Sequence, residues 1–345
     1  MTSTASAPAA AATDADAHAL DILRRHGHHT SAFLAYNSET EHFTAPGIDG
    51  LVAYRPAGRR HLFQLCGPFA AEEDQDRLLG AFLDWARSEG RRVTAVQLRK
   101  QDLERYANAG FVVNQLGSSY SIDLEQFTMR GTRFMKTRNK VSRARRLGLE
   151  VQELTPEDLA RPEIAAELDA IDATWLRTKG RFAKQLTFMI GERGGRGEPF
   201  RRVFMTRLEG KALGYVTYSP AFGDQAGWLY DLTRRHVEAP PGAVELIFHT
   251  VVEKLREEGC RWLHLGLTPL VGLDLEHEAE GAFSEPVRRF VTLLSERGEK
   301  VYPAKTQEQF KTKWGPHVIE PEYMGFQKRP TIGAVWGLLR LTRAV

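Results

Sequence analysis

Between Gln126 and Leu149 the chain places eight basic residues and no acidic one: Arg130, Arg133, Lys136, Arg138, Lys140, Arg143, Arg145 and Arg146. The whole chain carries a net +3, so this window's +8 leaves −5 for everything else. A surplus of cation packed into one short stretch of a balanced chain suits a polyanion, phosphate oxygens above all. A solvated helix face is the plain alternative for any such run. Wound at about 100° per residue, Arg133, Lys136, Lys140 and Arg143 share an arc of about 80°. Phe134, Val141 and Ala144 fall on a separate, narrower arc. Arg138 and Arg145 flank that apolar side, and Arg146 extends the basic one. The pattern predicts a helix with a thin docking stripe and a broad cationic face. Asn139 and Ser142 add neutral donors. Such a face grips a backbone and does not read base edges. Few aromatic residues interleave with the charges, which argues against stacking on single strands.

The rest of the chain must position that helix. Its 345 residues suggest about two domains, and 42% hydrophobic with 26% charged content is ordinary for a globular protein. Cys66 and Cys260 lie far apart without metal-ligand spacing, so neither a disulfide framework nor a metal site is expected. Residues 1–29 lack the charged start and apolar core of a signal peptide and are expected to form a disordered tail. The cysteine usage fits a reducing cytoplasm, the location expected, and no apolar run reaches about 18 residues, so no membrane span is expected. There is no Gly-x-Ser-x-Gly, no His-Glu-x-x-His and no Walker A.

An α/β grammar is written twice. In residues 30–125, Gly50–Tyr54 and His61–Leu65 read as strands about Pro56-Ala57-Gly58. Glu72–Glu89 reads as a helix, with Leu78, Leu79, Phe82, Leu83 and Ala86 on one face and Gly90 as its stop. Arg92–Leu98, Phe111–Val113 and Ser119–Leu124 read as extended, with a short helix over Asp102–Ala109. In residues 150–330, Glu157–Thr178 reads as helical. Arg202–Leu208 and Lys211–Tyr218 form a hairpin, and Gly227–Leu232 continues it. Gly242–Glu258 is the clearest helix, and Arg261–Leu267 follows as a strand. The basic segment 126–149 links the two halves. Residues 331–345 read as a C-terminal helix docked on its own domain, with an amphipathic membrane-surface helix as the alternative.

Hairpin, helix, then strand is the grammar of acyltransferases of the GNAT kind, each half a mixed sheet flanked by helices. Members that bind acetyl-coenzyme A carry a Gln/Arg-x-x-Gly-x-Gly/Ala turn at a helix start. Here the nearest candidate, Gly195-Arg196-Gly197, begins at Glu192, the wrong charge. It reads as a mobile loop, and no coenzyme A or other cofactor is expected.

From about residue 30 to 328 the chain resembles the catalytic domain of the lysylphosphatidylglycerol synthases, aminoacyl-tRNA-dependent aminoacyltransferases with two fused GNAT-like halves. The resemblance rests on Gly50-Leu-Val-Ala-Tyr-Arg55, Arg105-Tyr-Ala-Asn-Ala-Gly-Phe111, Ser121-Ile-Asp-Leu-Glu125 and the basic run Lys136–Gly148. It continues through Tyr230-Asp-Leu-Thr-Arg-Arg235, Gly242-Ala-Val-Glu-Leu-Ile247, Leu265-Gly-Leu-Thr-Pro-Leu270 and Phe310-Lys-Thr-Lys-Trp314. Order and spacing carry it, since no single match is decisive. Ala239-Pro240-Pro241 and Leu273-Asp274-Leu275 look unlike the lipid-modifying members. In size, and in lacking spans, the chain is similar to the soluble branch, which includes the seryl-transferring kind of valanimycin biosynthesis.

The resemblance implies an aminoacyl-tRNA as donor and a small-molecule amine, hydroxylamine or hydroxyl as acceptor, with a paired aminoacyl-tRNA synthetase as a possible partner. Phosphatidylglycerol, reached as a peripheral enzyme, is the alternative acceptor, and an acetyl-coenzyme A-dependent N-acetyltransferase is the further alternative, disfavoured by Glu192. The cationic helix, through Arg133, Lys136, Arg138, Lys140, Arg143, Arg145 and Arg146, would hold the acceptor-stem phosphates. The resemblance further implies that Asp231 and Glu245 face the aminoacyl ammonium or the acceptor nucleophile, one of them acting as general base. Lys311 and Lys313 would hold the terminal adenosine or its phosphates, and Arg234, Gly266 and Thr268 would complete the substrate site.

Overall fold

The computed structural model describes residues 13–178, 187–297 and 304–342. The chain opens with α1 (Asp14–His26), β1 (Glu41–Phe43), β2 (Gly50–Ala57), β3 (His61–Leu65), β4 (Phe69–Ala70) and α2 (Glu72–Ser88). Next come β5 (Arg92–Leu98), α3 (Leu103–Asn108), β6 (Phe111–Asp123), α4 (Met135–Arg146), β7 (Glu150–Leu154), α5 (Pro156–Leu159) and α6 (Pro162–Thr178). The remainder is β8 (Arg202–Leu208), β9 (Lys211–Ala221), β10 (Gly227–Arg235), α7 (Ala243–Glu257), β11 (Trp262–Pro269), α8 (Glu285–Arg297), α9 (Ala304–Thr312), β12 (Val318–Gln327) and α10 (Ile332–Leu341).

The elements form a mixed α/β sheet flanked by helices, in strand order β1-β2-β3-β5-β12-β6-β11-β10-β9-β8-β7. The order contains a repeat. β3 runs parallel to β5 across α2, and β10 runs parallel to β11 across α7. Each half then gives its last strand away. β12 pairs with β5 of the first half, β6 pairs with β11 of the second, and β6 and β12 pair with each other at the centre. The expected division at residue 150 therefore separates the sequence but not the fold, because segment 318–327 completes the first half.

The predicted amphipathic helices bury the faces that their periodicity marks. Leu78, Leu79, Phe82, Leu83 and Ala86 of α2 pack on one side of the sheet. Ile247, Phe248, Val251, Val252 and Leu255 of α7 pack on the second half. At about 25 cal/mol per Å2 of apolar area, each such leucine, isoleucine, valine or phenylalanine is worth roughly 1.5–3 kcal/mol. Gly90 and Gly259 end these helices at φ 67° and 74°, in the left-handed region that a glycine enters without Cβ strain.

Three expectations are corrected. Residues 14–26 of the expected disordered tail are helical: α1 carries a Thr13 capping box and buries Ala19, Leu20, Ile22 and Leu23. Residues 1–12 of that tail lie outside the described residues. Phe111–Val113 and Ser119–Asp123 belong to one strand, β6, and Leu124 lies just past its end. Its polar middle hid this, because the buried Asn114 and Gln115 side chains donate to the Ser284 and Gly272 carbonyls in the segment between β11 and α8. Nor is the glycine-rich stretch a free loop. The Arg196 guanidinium donates to the carbonyls of Tyr36, Asn37 and Thr40 and pairs with Asp16 at 2.7 Å.

Candidate active site

The site begins where two strands part. β10 and β11 pair in parallel only over Gly227–Leu229 and Trp262–His264. The register against β9 then shifts around Asp231, and the register against β6 shifts around Leu265. Beyond these bulges β10 stays with β9 and β11 stays with β6. The split leads into a cavity of about 740 Å3. Tyr230, Asp231, Leu265, Gly266, Leu267 and Lys311 line the cavity at the split. The remaining lining is mostly apolar, and about a third of it comes from α8 and α10. A bulge re-aims side chains at a point where pairing ends, which is how Asp231 comes to face the cavity.

The Asp231 side chain is buried and held from two sides. The Ser219 hydroxyl donates to Oδ2 and the Gly191 N–H to Oδ1, each at 2.5 Å. Nε of Arg201 lies 3.9 Å from Oδ2. That guanidinium also donates to Ser219 Oγ and Asn37 Oδ1. Burial pushes the Asp231 carboxyl above its ordinary range, with Arg201, Ser219 and Gly191 pulling the other way. Gly191 has to be glycine: a Cβ there would lie 1.9 Å from Oδ2. Ser219, Gly191, Arg201 and Asn37 are absent from the sequence-based site. They lie 12 to 194 residues from Asp231 and share no motif with it.

Lys311 sits in the opposite wall. Its Nζ donates to the Gly266 and Leu267 carbonyls at 2.9 and 2.8 Å, taking acceptors on β11 beyond its last pairing with β10. Burial pulls its ammonium down to about 7, opposed by the Glu322 carboxylate. Gly266 bends β11 at φ 70°. Asp231, Gly266 and Lys311 are thus the predicted site residues that line the cavity.

The others stand elsewhere. Glu245, at the start of α7, accepts from Lys140 and Lys313 at 3.0 Å each. Burial alone would raise its carboxyl, but Lys313 and Lys140 outweigh it and hold it below the usual range. A carboxylate held ionised by two ammonium groups is a poor general base. Glu245 joins the basic helix to the end of α9. Arg234 is buried over the Trp175 ring, 4.0 Å from its centroid, with Asp172 at 3.5 Å, and locks α6 to the sheet. Thr268 is buried in β11 and does not line the cavity.

α4 buries Thr137, Val141 and Ala144, with Phe134 packed just before it. Its close approach to α7 requires Gly242, where a Cβ would meet the Lys140 carbonyl at 2.4 Å. The cations divide by what they touch. Arg133 donates to the Thr312 carbonyl, Arg138 to the Met129 and Gly131 carbonyls, and Arg145 to Glu253. Lys136, Arg143 and Arg146 are exposed and make no ion pair among the described residues. Lys140–Glu245–Lys313 connects this face to the same segment that carries Lys311 into the cavity. Among the described residues no three His, Cys, Asp or Glu side chains gather as a metal ion would require, and no helix is long and apolar enough to cross a membrane.

The family model for the phosphatidylglycerol lysyltransferase C-terminal domain matches residues 20–326. The chain belongs to this family. Among curated members, the phosphatidylglycerol lysyltransferase of Bacillus subtilis is 23% identical, over 92% of this chain and 36% of its own length. That of Staphylococcus aureus is 21% identical, over 89% and 35%. The chain thus spans about a third of the length of these relatives. Two solved structures share the fold. One is the C-terminal domain of an Agrobacterium fabrum protein assigned as a lysylphosphatidylglycerol synthetase: 24% identity, 96% of both chains, TM-score 0.75. The other is L-PGS from Bacillus licheniformis: 20% identity, 97% and 99% of the two chains, TM-score 0.73. The α/β fold of the family is therefore the fold of this chain.

Proposed function

We propose that this chain is an aminoacyltransferase domain that moves an aminoacyl group from tRNA to the hydroxyl of a lipid of the phosphatidylglycerol class. The cavity carries this reading. Its volume of about 740 Å3 and its mostly apolar lining suit an acyl-bearing acceptor, while its polar residues at the split suit the reacting groups. The curated relatives' activity points the same way. It turns the acceptor from the small molecule expected in the soluble branch to a lipid.

The donor ester is already activated, so the site has to align the reactants, take a proton and bear developing charge. Asp231, with its raised pKa, accepts the proton of the acceptor hydroxyl as that oxygen attacks the ester carbonyl. Lys311, across the split, balances the charge on the tetrahedral oxygen. Collapse breaks the bond to the tRNA 3′ oxygen, which leaves with the proton. The exposed cations of α4 hold the acceptor-stem phosphates, and Glu245 fixes Lys140 and Lys313 between that face and the cavity.

The test supplies radiolabelled aminoacyl-tRNA pools, lysyl-tRNA among them, with phosphatidylglycerol in detergent micelles. Label is expected to enter the organic phase. The deacylated headgroup in water, which lacks the chains that would fill the cavity, is expected to be a far poorer acceptor. Label reaching the headgroup as readily as the lipid, or reaching neither, would refute the reading.

A further inference from the structure

Nine large apolar side chains among the described residues are exposed, and four of them sit on two helices that help line the cavity. They are Phe290 and Leu293 on α8, and Ile332 and Trp336 on α10. Ile332 is 90% exposed and Trp336 48%. Ile332 and Trp336 stand one helical turn apart, so they form a single outward ridge. Phe290 and Ile332 also line the cavity, so each of the two helices carries an exposed apolar side chain that reaches the inner wall.

α10 is apolar on both sides. Ala334 is buried, and Val335, Leu338 and Leu341 pack on the first-half core. A short helix that seats one apolar face and exposes another has a second apolar surface to cover. Charge says which surface. Residues 328–342 contain Lys328, Arg329 and Arg340 and no acidic residue. The Arg340 guanidinium lies over the Trp336 ring, 5.3 Å from its centroid. Beneath α10, Gly333 approaches His61, which feels the positive charge of Arg92 and Arg60. On α8, Glu285 is paired with Arg288 and Arg289, and Glu296 is the one further acid.

We propose that the α8–α10 face docks on an anionic lipid bilayer. Ile332 and Trp336 enter the headgroup boundary, and Lys328, Arg329 and Arg340 meet lipid phosphates. An apolar ridge flanked by Arg and Lys, with an aromatic ring at its edge, is the composition of an interfacial helix. The inference rests on the lipid-acceptor reading and deepens it, because it brings the mouth of the cavity against the surface that stores the acceptor. A docked acyl chain would then pass from bilayer to cavity between α8 and α10 without crossing water.

The test is flotation of the whole chain with vesicles of phosphatidylcholine, with and without phosphatidylglycerol, in the absence of tRNA. The protein is expected to float with the anionic vesicles and to be released by salt. Brominated lipids are expected to quench a part of the tryptophan emission that is missing in Trp336→Phe. Ile332→Asp is expected to lower the bound fraction about tenfold. Ile332 is exposed, so that variant should keep the wild-type melting temperature. Flotation of Ile332→Asp like the wild type, or no flotation at all, would overturn the proposal. So would a concentration-dependent dimer in light scattering that Ile332→Asp dissolves, because a second copy would then own the face. Transfer to lipid in micelles without flotation sinks the docking alone. Flotation without transfer from any aminoacyl-tRNA supports the docking and sinks the acceptor reading.

Discussion

Gly191→Ala tests the site through a single methyl group. The added Cβ would lie 1.9 Å from Asp231 Oδ2, far inside contact distance, and its neighbour is a carboxylate already pinned by Ser219. The loop has to withdraw, and the Gly191 N–H loses its 2.5 Å bond to Oδ1. A hydrogen bond to a charged group contributes about 1.5–3 kcal/mol. It favours the ionised form, so its loss raises the Asp231 pKa further. At about 1.4 kcal/mol per unit, the rise is about 1–2 units. A general base must be ionised to act, so the acidic limb of kcat/KM should move up by that amount while the plateau at higher pH is kept. The assay is aminoacyl transfer to phosphatidylglycerol in micelles, followed from about pH 5 to 9. Asp231→Asn serves as the control and should lose turnover while still binding tRNA. A rate lowered equally at every pH would refute the reasoning, because the methyl group would then have distorted the site without touching the titration of Asp231.

Three further outcomes follow. Replacing Lys136, Arg143 and Arg146 together by Gln should raise KM for aminoacyl-tRNA about tenfold or more. It should also cut the slope of log binding against log salt by about 2–3, with kcat and the melting temperature unchanged; filter binding across a salt series checks this. Glu245→Gln should destabilise the fold by about 1–2 kcal/mol at pH 7 in urea, a modest figure because Lys140 is half exposed. The Glu245 pKa is depressed, so its contribution is present above the ordinary glutamate range and is lost as pH falls through the lowered folded value. The wild-type advantage should therefore vanish in acid, and an advantage that persists there would count against the ion-pair account. Buried Glu322 is pushed up from 4.5 to about 7 by burial, against the pull of Ser119 and Lys311. Its contribution is then full below pH 4.5 and lost as pH rises through 7. Glu322→Gln should gain about 1–3 kcal/mol on the wild type between pH 5 and pH 8, and parallel urea curves at the two pH values would contradict this.

Much of the local structure was legible because one-dimensional periodicity records which face of an element is buried. The observed β5 and β8 span the ranges predicted for them, α2 and α7 do so to within a residue at either end, and the buried stripe of α4 is the predicted one with Thr137 added. β12 was not legible. Its first half, Val318-Ile-Glu-Pro-Glu322, mixes charge and proline, and Ile319 is exposed although it lies in a central strand. α1 was missed because its composition of alanine, aspartate and histidine resembles a solvated tail, while its buried residues are covered by segments far along the chain.

The sequence by itself determined the α/β grammar, the cationic face of α4 and the position of Asp231 in a strand. Each depends on neighbours within a few turns or residues. Only the tertiary structure decided which charges do chemistry. Glu245 and Asp231 are both acids in family-like motifs. One meets Lys140 and Lys313 and is held ionised, and the other is buried beside Gly191, Ser219 and Arg201 and pushed upward. The exchange of β6 and β12 between the halves was likewise decided there, because strand order depends on which hydrogen-bonding edges meet. So was the split between β10 and β11. It exists because two bulges end a pairing that the alternation of side chains along either strand would have let continue.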